Sequence, residues 1–463
     1  FNFMEGELQP TGLSQQQAPI EELYESHPDV ISRQATINIG TIGHVAHGKS
    51  SLTRALTQVD TVKFSSEKVN NITIKLGYAN AKIFMCNNSS CVSETRYFTG
   101  KSDAKDDTPC PHCNQAAQLM RHISIIDCPG HDDYMTTMLS GVALMDATML
   151  LVAADQSCPQ PQTAEHLQAI SIDGAHRDII VAQNKIDLVN HVSAKNNYNQ
   201  IKKFLAETLY NRELPIVPIS AVRGINIDCI VNEIMKIPVP KRSLDKPPKF
   251  ISIRSFDANK SGVSVDSLVG GIIGGTLTEG ILKVGDIVEI RPGIIESKDG
   301  QHKAYPLTTK IISLKAEDNY LRYALPGGLI AIGTLLDPAL TKQDRMVGQI
   351  IGYPGSLPPI VTKITIKFHI LFNKDTEFNN ILSTDLNRIM KKETEVLITV
   401  SGCNNTAKIL SDTTQIKGTG DLVEIEVSKP ICIPDGASVA ISSKNLVSQS
   451  SNWRLIGYGK VVQ

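Results

Sequence analysis

Eight consecutive residues constrain this chain more than any other feature: Gly43-His44-Val45-Ala46-His47-Gly48-Lys49-Ser50 fits the pattern G-x-x-x-x-G-K-[ST]. The flanks give the run its meaning. Ile37, Ile39 and Ile42 ahead of it read as a strand, and Leu52, Ala55, Leu56 and Val59 behind it recur at the i, i+3, i+4, i+7 spacing of one helix face. A strand, a glycine loop and a helix in that order let backbone N–H groups curl round phosphate oxygens. They set the Lys49 ammonium against the β and γ oxygens and leave the Ser50 hydroxyl to ligate Mg2+. The loop predicts a phosphate site made by Val45, Ala46, His47, Gly48, Lys49, Ser50 and Ser51.

Three later segments say which nucleotide. Asp127-Cys128-Pro129-Gly130 follows the apolar run Ile123 to Ile126; its carboxylate can reach Mg2+ through water, and the Gly130 N–H can sense a γ-phosphate. Asn184-Lys185-Ile186-Asp187 follows the run Ile179 to Ala182, and the Asp187 carboxylate can accept the two adjacent N–H groups of guanine, a pair that adenine lacks. Ser220-Ala221-Val222 closes the run Ile216 to Ile219 and would complete a base pocket with a backbone N–H. Four segments in order at strand ends match where open α/β sheets bind ligands, and they predict a GTP/GDP site with Mg2+.

The rest of the chain divides by pattern. Residues 1–34 are polar and without period, which predicts an extended or mobile arm. From 35 to 244, buried-strand runs alternate with helical stretches such as Ile227, Ile230, Val231 and Ile234, the signature of an α/β domain with a mostly parallel sheet. Pro238, Pro240, Pro247 and Pro248 mark a linker. Short β-rich segments punctuated by glycine pairs over 245–356, and a second such series over 357–463 after Pro358-Pro359, predict two β-barrel domains.

Composition narrows the partners. Forty-six Lys and Arg against 47 Asp and Glu leave a formal charge of −1, so no global basic field advertises nucleic acid. The longest apolar run, 147–154, is far below the roughly 18 residues of a spanning helix, and the beginning lacks the basic and apolar regions of a secretory leader. No membrane partner and a cytoplasmic location are expected. Nine cysteines, an odd number, do not read as a disulfide framework. Cys86, Cys91, Cys110 and Cys113 form C-x4-C-x18-C-x2-C over a knuckle at 84–115 that can close a tetrahedral Zn2+ site, with His112 as a substitute ligand. Four reduced cysteines on a long loop are the other reading.

Together these motifs resemble the translational GTPases of the elongation factor Tu class, in which an α/β P-loop GTPase domain precedes two β-barrels. Ala46, where elongation factor Tu has Asp, is similar to the gamma subunits of eukaryotic and archaeal initiation factor 2. So are Asn71 to Ile83, Ser157 to His166, Ile253-Arg254-Ser255-Phe256-Asp257, Arg291-Pro292-Gly293-Ile294 and Trp453 to Gly457. The resemblance runs over about residues 32–463. His131-Asp132-Asp133-Tyr134-Met135 departs toward the elongation-factor wording, Tyr458 replaces a common tryptophan, and residues 372–392 match weakly.

The resemblance implies a GTPase that carries methionyl initiator tRNA to the small ribosomal subunit and releases it on hydrolysis. It implies alpha and beta partner subunits and GTPase-activating and nucleotide-exchange factors. Thr73 becomes a switch threonine on Mg2+ alongside Ser50, His131 the residue that orients the attacking water, and Tyr78 a tRNA contact. Without the resemblance, Ile72-Thr73-Ile74 is a β-branched strand segment. A GTPase subunit of a metabolic enzyme such as ATP sulfurylase, and an elongation factor for another aminoacyl-tRNA, are the alternative readings.

Overall fold

The structure is a computed structural model that describes residues 16–61, 73, 75–93, 95–170, 178–208, 213–259, 262, 268–298, 301–370, 390–400, 402–411, 419–444 and 453–462. Residues 1–15 of the expected arm, Asn71, Ile72 and Ile74 of the expected switch, and 372–389 of the weakly matching stretch lie outside these.

Seven strands make the first sheet: β1 Ile37–Ile42, β2 Gly77–Cys86, β3 Tyr97–Lys101, β4 Ala117–Asp127, β5 Ala147–Ala153, β6 Asp178–Asn184 and β7 Ile216–Pro218. Their order is β3-β2-β4-β1-β5-β6-β7. β1 pairs in parallel with β4 and β5, β5 with β6, and β6 with β7; β2 runs antiparallel to β4 and β3. The sheet is mostly parallel, as expected, with an antiparallel edge that periodicity did not mark. β2 is buried at eight of its ten positions, so it lacks the polar alternation that announces a strand with one wet face.

Side-chain alternation splits the core between the two faces. Ile37, Ile39, Ile123, Ile125, Met149 and Leu151 pack with Leu52, Leu56, Ile230 and Ile234, from helices α2 (Lys49–Thr57) and α6 (Ile227–Lys236). Ile42, Ile126, Leu150 and Val152 pack on the other face with helices α3 (Met135–Val142), α4 (Pro161–Ile170) and α5 (His191–Thr208). A short α1, Pro28–Ile31, precedes the sheet. No helix among the described residues is long and apolar enough to cross a membrane.

Two closed barrels follow. In the first, β8 (Lys249–Phe256), β9 (Ile272–Glu279), β11 (Ile287–Lys298), β12 (Gln301–Ala316), β15 (Ile330–Thr334) and β16 (Ile350–Gly352) close through the β11–β12 pairing. β13 (Asn319–Leu321) is added beside β12, and β10 (Leu282–Lys283) pairs with β14 (Tyr323–Ala324). The second is β17-β20-β19-β18-β21-β22, from β17 at Ile360–Ile370, through β18 (Glu395–Val400), β19 (Cys403–Ile409), β20 (Thr419–Cys432) and β21 (Ser438–Ser443), to β22 at Arg454–Val462. Closure leaves neither ring an open edge.

Residues 16–34 depart from the expected mobile arm. Gln16 Oε1 accepts from the backbone of Arg322 and Tyr323, Asp29 Oδ2 accepts from the Gln17 and Ala18 N–H groups, and Leu23 and Val30 pack on Tyr323 and Leu325. Side chains bonding to backbone hold this segment, and polar composition alone cannot announce that. It leads into the seam between the GTPase domain and the first barrel. There the buried Gln34 amide donates to Leu325 O at 2.5 Å and Gly327 O at 3.2 Å, and its carbonyl accepts from Leu325 N at 3.1 Å. Asn319 Nδ2 donates to Arg33 O and to Ser102, and Asn80 N donates to Glu317 Oε1 at 2.7 Å.

Removing one partner leaves buried backbone groups unpaired, which costs more than the bonds contribute net. Gln34→Ala should therefore lose about 2 kcal/mol and speed amide exchange at Leu325 by an order of magnitude or so. Hydrogen exchange read by mass spectrometry checks it; an unchanged Leu325 amide would contradict this view of the seam.

Candidate functional site

β1 delivers the chain into the glycine loop, and α2 begins at Lys49 with Gly48 as its cap at φ 94°. That left-handed cap admits no side chain, since a Cβ there would stand 2.2 Å from Asn184 Nδ2. Ala46 also lies in the left-handed region, at φ 61°. Lys49 folds back under the loop: Nζ donates to Gly43 O at 2.9 Å and His44 O at 2.8 Å, and the residue is 6 % exposed. Burial draws its ammonium down to about 8, against the attraction of Asp127. Gly130 passes so close that a Cβ would meet Lys49 Nζ at 2.3 Å, which accounts for the residue type there.

A cavity of about 1170 Å3 opens above this loop. Of the residues expected to meet nucleotide or metal, Val45, Ala46, Gly48, Lys49, Ser50, Ser51, Thr73, Gly130, His131, Ala221 and Val222 line it. Asp127 is fully buried beneath. Its Oδ2 accepts from Thr61 Oγ1 at 2.6 Å and its Oδ1 from Thr41 Oγ1 at 3.1 Å, and burial raises its carboxyl above the usual value. Ser50 Oγ and Thr73 Oγ1 lie 3.1 Å apart, and Ser50 also bonds to Asp127. Three oxygens of hydroxyl and carboxylate type thus converge beside the phosphate loop, a donor set that suits Mg2+ once phosphate and water complete the octahedron.

Two of the expected contact residues also brace the loop. The His47 imidazole is buried between Leu151 O at 3.1 Å and Gln156 Oε1 at 3.0 Å, and burial lowers its basicity. Asn184 Nδ2 donates to His47 O at 2.9 Å while its Oδ1 accepts from Ala221 N at 3.0 Å. One side chain therefore ties the phosphate loop to the Ser220 segment. Asp187 stands by that segment, its carboxyl lowered first by the Ser220 hydroxyl and also by Arg223, whose Nε is 3.2 Å from Oδ2. Lys185, at φ 64°, points its ammonium to Asp155 at 3.6 Å.

Arg223, Gln156, Thr41 and Thr61 also serve the site. Arg223 follows the Ser220 segment directly, and that adjacency was the one signal available. The threonines and Gln156 belong to no motif. His131 lies on the cavity rim with Nδ1 engaged by Asp133, accepting from its N–H at 3.2 Å. Tyr78, in β2, keeps its hydroxyl buried without a hydrogen-bond partner among the described residues, and burial pushes that hydroxyl well above its usual value.

Away from the cavity, the cysteines converge. Cys86 ends β2, and its sulfur is 3.4 Å from that of Cys113; Cys91 and Cys110 are 3.8 Å apart, and all four sulfurs lie within 4.8 Å of one another. Tetrahedral Zn–S bonds of 2.3 Å put sulfurs about 3.8 Å apart, so the quartet has the ligand type and approximate spacing of a zinc site. The Gln115 N–H, first of several bonds, draws the Cys113 thiol down to about 7, while removal from water pushes Cys86 up to about 12. Phe84 and Phe98, stacked at 5.3 Å, pack beneath the cluster. His112 is exposed and stands outside it.

Residues 34–239 match the family described as elongation factor Tu GTP binding domain, and residues 362–461 match initiation factor eIF2 gamma, C terminal. The chain is 45% identical over 450 residues to eukaryotic translation initiation factor 2 subunit gamma of Schizosaccharomyces pombe, covering 96% of this chain and 97% of that one. It is 44% identical over 449 residues to eukaryotic translation initiation factor 2 subunit 3 of Drosophila melanogaster, covering 96% and 92%. Among solved structures, a bacterial selenocysteine-specific elongation factor matches with a TM-score of 0.65 at 20% identity, over 92% of this chain and 58% of that one. The elongation factor SelB of Methanococcus maripaludis, in complex with a GTP analogue, matches with a TM-score of 0.64 at 20% identity, over 93% and 80%. These two likenesses bear on the fold. Sequence identity over nearly the whole of both chains, with the phosphate loop, Gly130 and the Ala221 segment on one cavity and Asn184 bonded to two of them, shows that the chain belongs to the gamma-subunit family of translation initiation factor 2 and is a translational GTPase.

Proposed function

We propose that this GTPase carries methionyl initiator tRNA to the small ribosomal subunit while GTP is bound and releases it after hydrolysis stimulated by a partner. The observation that carries the switch is the Ser50–Thr73 contact beside Asp127. Mg2+ held by the Ser50 and Thr73 hydroxyls would neutralise charge between the β- and γ-phosphates, and loss of the γ-phosphate would free Thr73. Val45 to Ser51 supply N–H donors, Lys49 the ammonium, Asp187 the paired guanine acceptor, and Asn184, Lys185, Ser220, Ala221 and Val222 the wall around the base. His131 orients the attacking water. Ala46 brings a methyl group where a carboxylate would tune that water, which suits a carrier that must hold its cargo until a partner acts.

The functional units we assign are 1–34 as an extension, 35–244 as the GTPase domain with its knuckle at 84–115, and 245–356 and 357–463 as the barrels. We assign it a cytoplasmic location and alpha, beta, activating and exchange-factor partners by the family resemblance, which supports this reading. Tyr78 is the tRNA contact we favour. Tyr78 is half-buried and packs against the core with its hydroxyl buried, so that contact would use whatever part of the side chain stays exposed. Cys86, Cys91, Cys110 and Cys113 would hold a structural Zn2+ that fixes the loop without taking part in hydrolysis.

Filter retention of charged tRNA tests the carrier reading. Initiator methionyl-tRNA should be retained with a non-hydrolysable GTP analogue and at least about tenfold less with GDP, a differential of roughly 1.4 kcal/mol. Elongator methionyl-tRNA should be retained poorly under both conditions. Equal retention with either nucleotide would defeat the reading.

For the metal, elemental analysis of chelator-free protein should find about one zinc per chain, and the Cys110→Ser, Cys113→Ser double variant none. A wild-type protein without zinc would retire the assignment.

A further inference from the structure

Two residues beyond Thr73, the Lys75 ammonium reaches out of the GTPase domain and meets Asp344 Oδ2 of the first barrel at 3.0 Å. Asp344 is held ready for it. Its Oδ1 accepts from Arg254 Nε at 2.9 Å and from the Ser255 N–H at 3.1 Å. Burial opposes the charge, yet Arg254, Lys75 and Ser255 together hold the carboxyl below its usual value. The backbone beneath is strained: Gln343 and Asp344 stand at φ 57° and 62°, two successive residues with side chains in the left-handed region. Such residues persist where their surroundings hold them, and strain of this kind gathers at ligand clamps and switches. Here the strained turn aims a carboxylate across the domain seam.

We propose that Lys75 and Asp344 form a nucleotide-sensitive latch, in which Asp344 is a positioning residue that makes the first barrel favour the triphosphate-bound arrangement of the switch. This rests on the reading of Thr73 as the switch threonine. Lys75 is about half exposed and Asp344 about a quarter exposed. A pair in such a setting gains little when both side chains and the chain beneath one of them must first be ordered. With Thr73 fixed against Ser50 at 3.1 Å, Lys75 begins no more than about 7 Å of chain away from an anchored point. Its backbone is then already ordered and the pair forms at lower entropic cost. When Thr73 is released, that cost returns. A contact that is stronger in one state shifts the equilibrium by its differential free energy and no further. By reciprocity, the docked barrel tightens triphosphate binding by the same factor that triphosphate tightens docking.

A double-mutant cycle tests the latch. Affinities for a fluorescent non-hydrolysable GTP analogue and for fluorescent GDP are measured on the full chain, on Lys75→Met, on Asp344→Asn and on the double variant. Asparagine tolerates the left-handed backbone, so the charge changes while the turn remains. Each single variant should bind the GTP analogue about three- to fivefold more weakly with GDP affinity unchanged. The double variant should be no weaker than the weaker single. Equal losses for both nucleotides, an unchanged ratio, or additive effects would overturn the latch. A wild-type chain that binds neither nucleotide would instead overturn the site reading beneath it.

Discussion

The structure depends on keeping one ammonium group dry. Lys49 is buried under its own loop and held by two backbone carbonyls, Gly43 O and His44 O. A charge removed from water is costly unless paired and hydrogen-bonded. Much of the surrounding sequence serves that requirement. Gly48 and Gly130 leave room where any Cβ would collide, and Asp127 supplies countercharge below. His47 and Asn184 brace the loop from outside through Leu151, Gln156 and Ala221. The result is a preorganised anion receptor, in which the free energy of assembling donors is spent during folding instead of at the moment of binding.

That receptor communicates with the barrels through short connections. β2 begins four residues after Thr73, pairs beside β4, which itself ends at Asp127, and carries Asn80 to Glu317 of the first barrel. Lys75 and Asp344 span the same seam. On the far side, Arg454 of the second barrel meets Glu165 of α4 at 2.6 Å, and Leu455 and Tyr458 pack against a cluster that joins Ala440 to the GTPase core. Both barrels therefore touch elements that lead directly to the cavity. A change at the γ-phosphate has physical routes outward that do not require the barrels themselves to deform.

What could be read from sequence follows from how local each signal was. The glycine loop, Asp127-Cys128-Pro129-Gly130 and the Asn184 and Ser220 segments are contiguous, and strand ends bring them together, so their convergence was legible. The cysteine spacing was legible too, although nothing in it revealed that Phe84 and Phe98 would support the cluster. Side chains that act at long range were not. Gln34 reaches Leu325, Gln16 reaches Arg322, and Thr41 and Thr61 bond to Asp127 without belonging to any motif. The same limit applies to His47 and Asn184, whose motif membership points to nucleotide contact and carries no sign of the side-chain bonds that hold the loop. β2 carries no strand signal in the sequence because burial on both faces removes its alternation.

The most direct measurement is the proton balance of nucleotide binding. Burial sets the Lys49 ammonium near 8, and a triphosphate beside it would raise that value. Below pH 7 the ammonium is already protonated and binding should take up no proton at Lys49. Near pH 8.5, where most Lys49 would be neutral before binding, each GTP should bring in a substantial fraction of a proton, and affinity should fall as pH rises further. Calorimetry of GTP binding at pH 8.5 in two buffers of different ionisation heat reads this uptake, with Lys49→Arg as the control that cannot titrate. Buffer-dependent heats in the wild type that vanish in Lys49→Arg are the predicted result. Buffer-independent heats, with affinity flat from pH 7 to pH 9, would contradict a dry ammonium at the centre of the site.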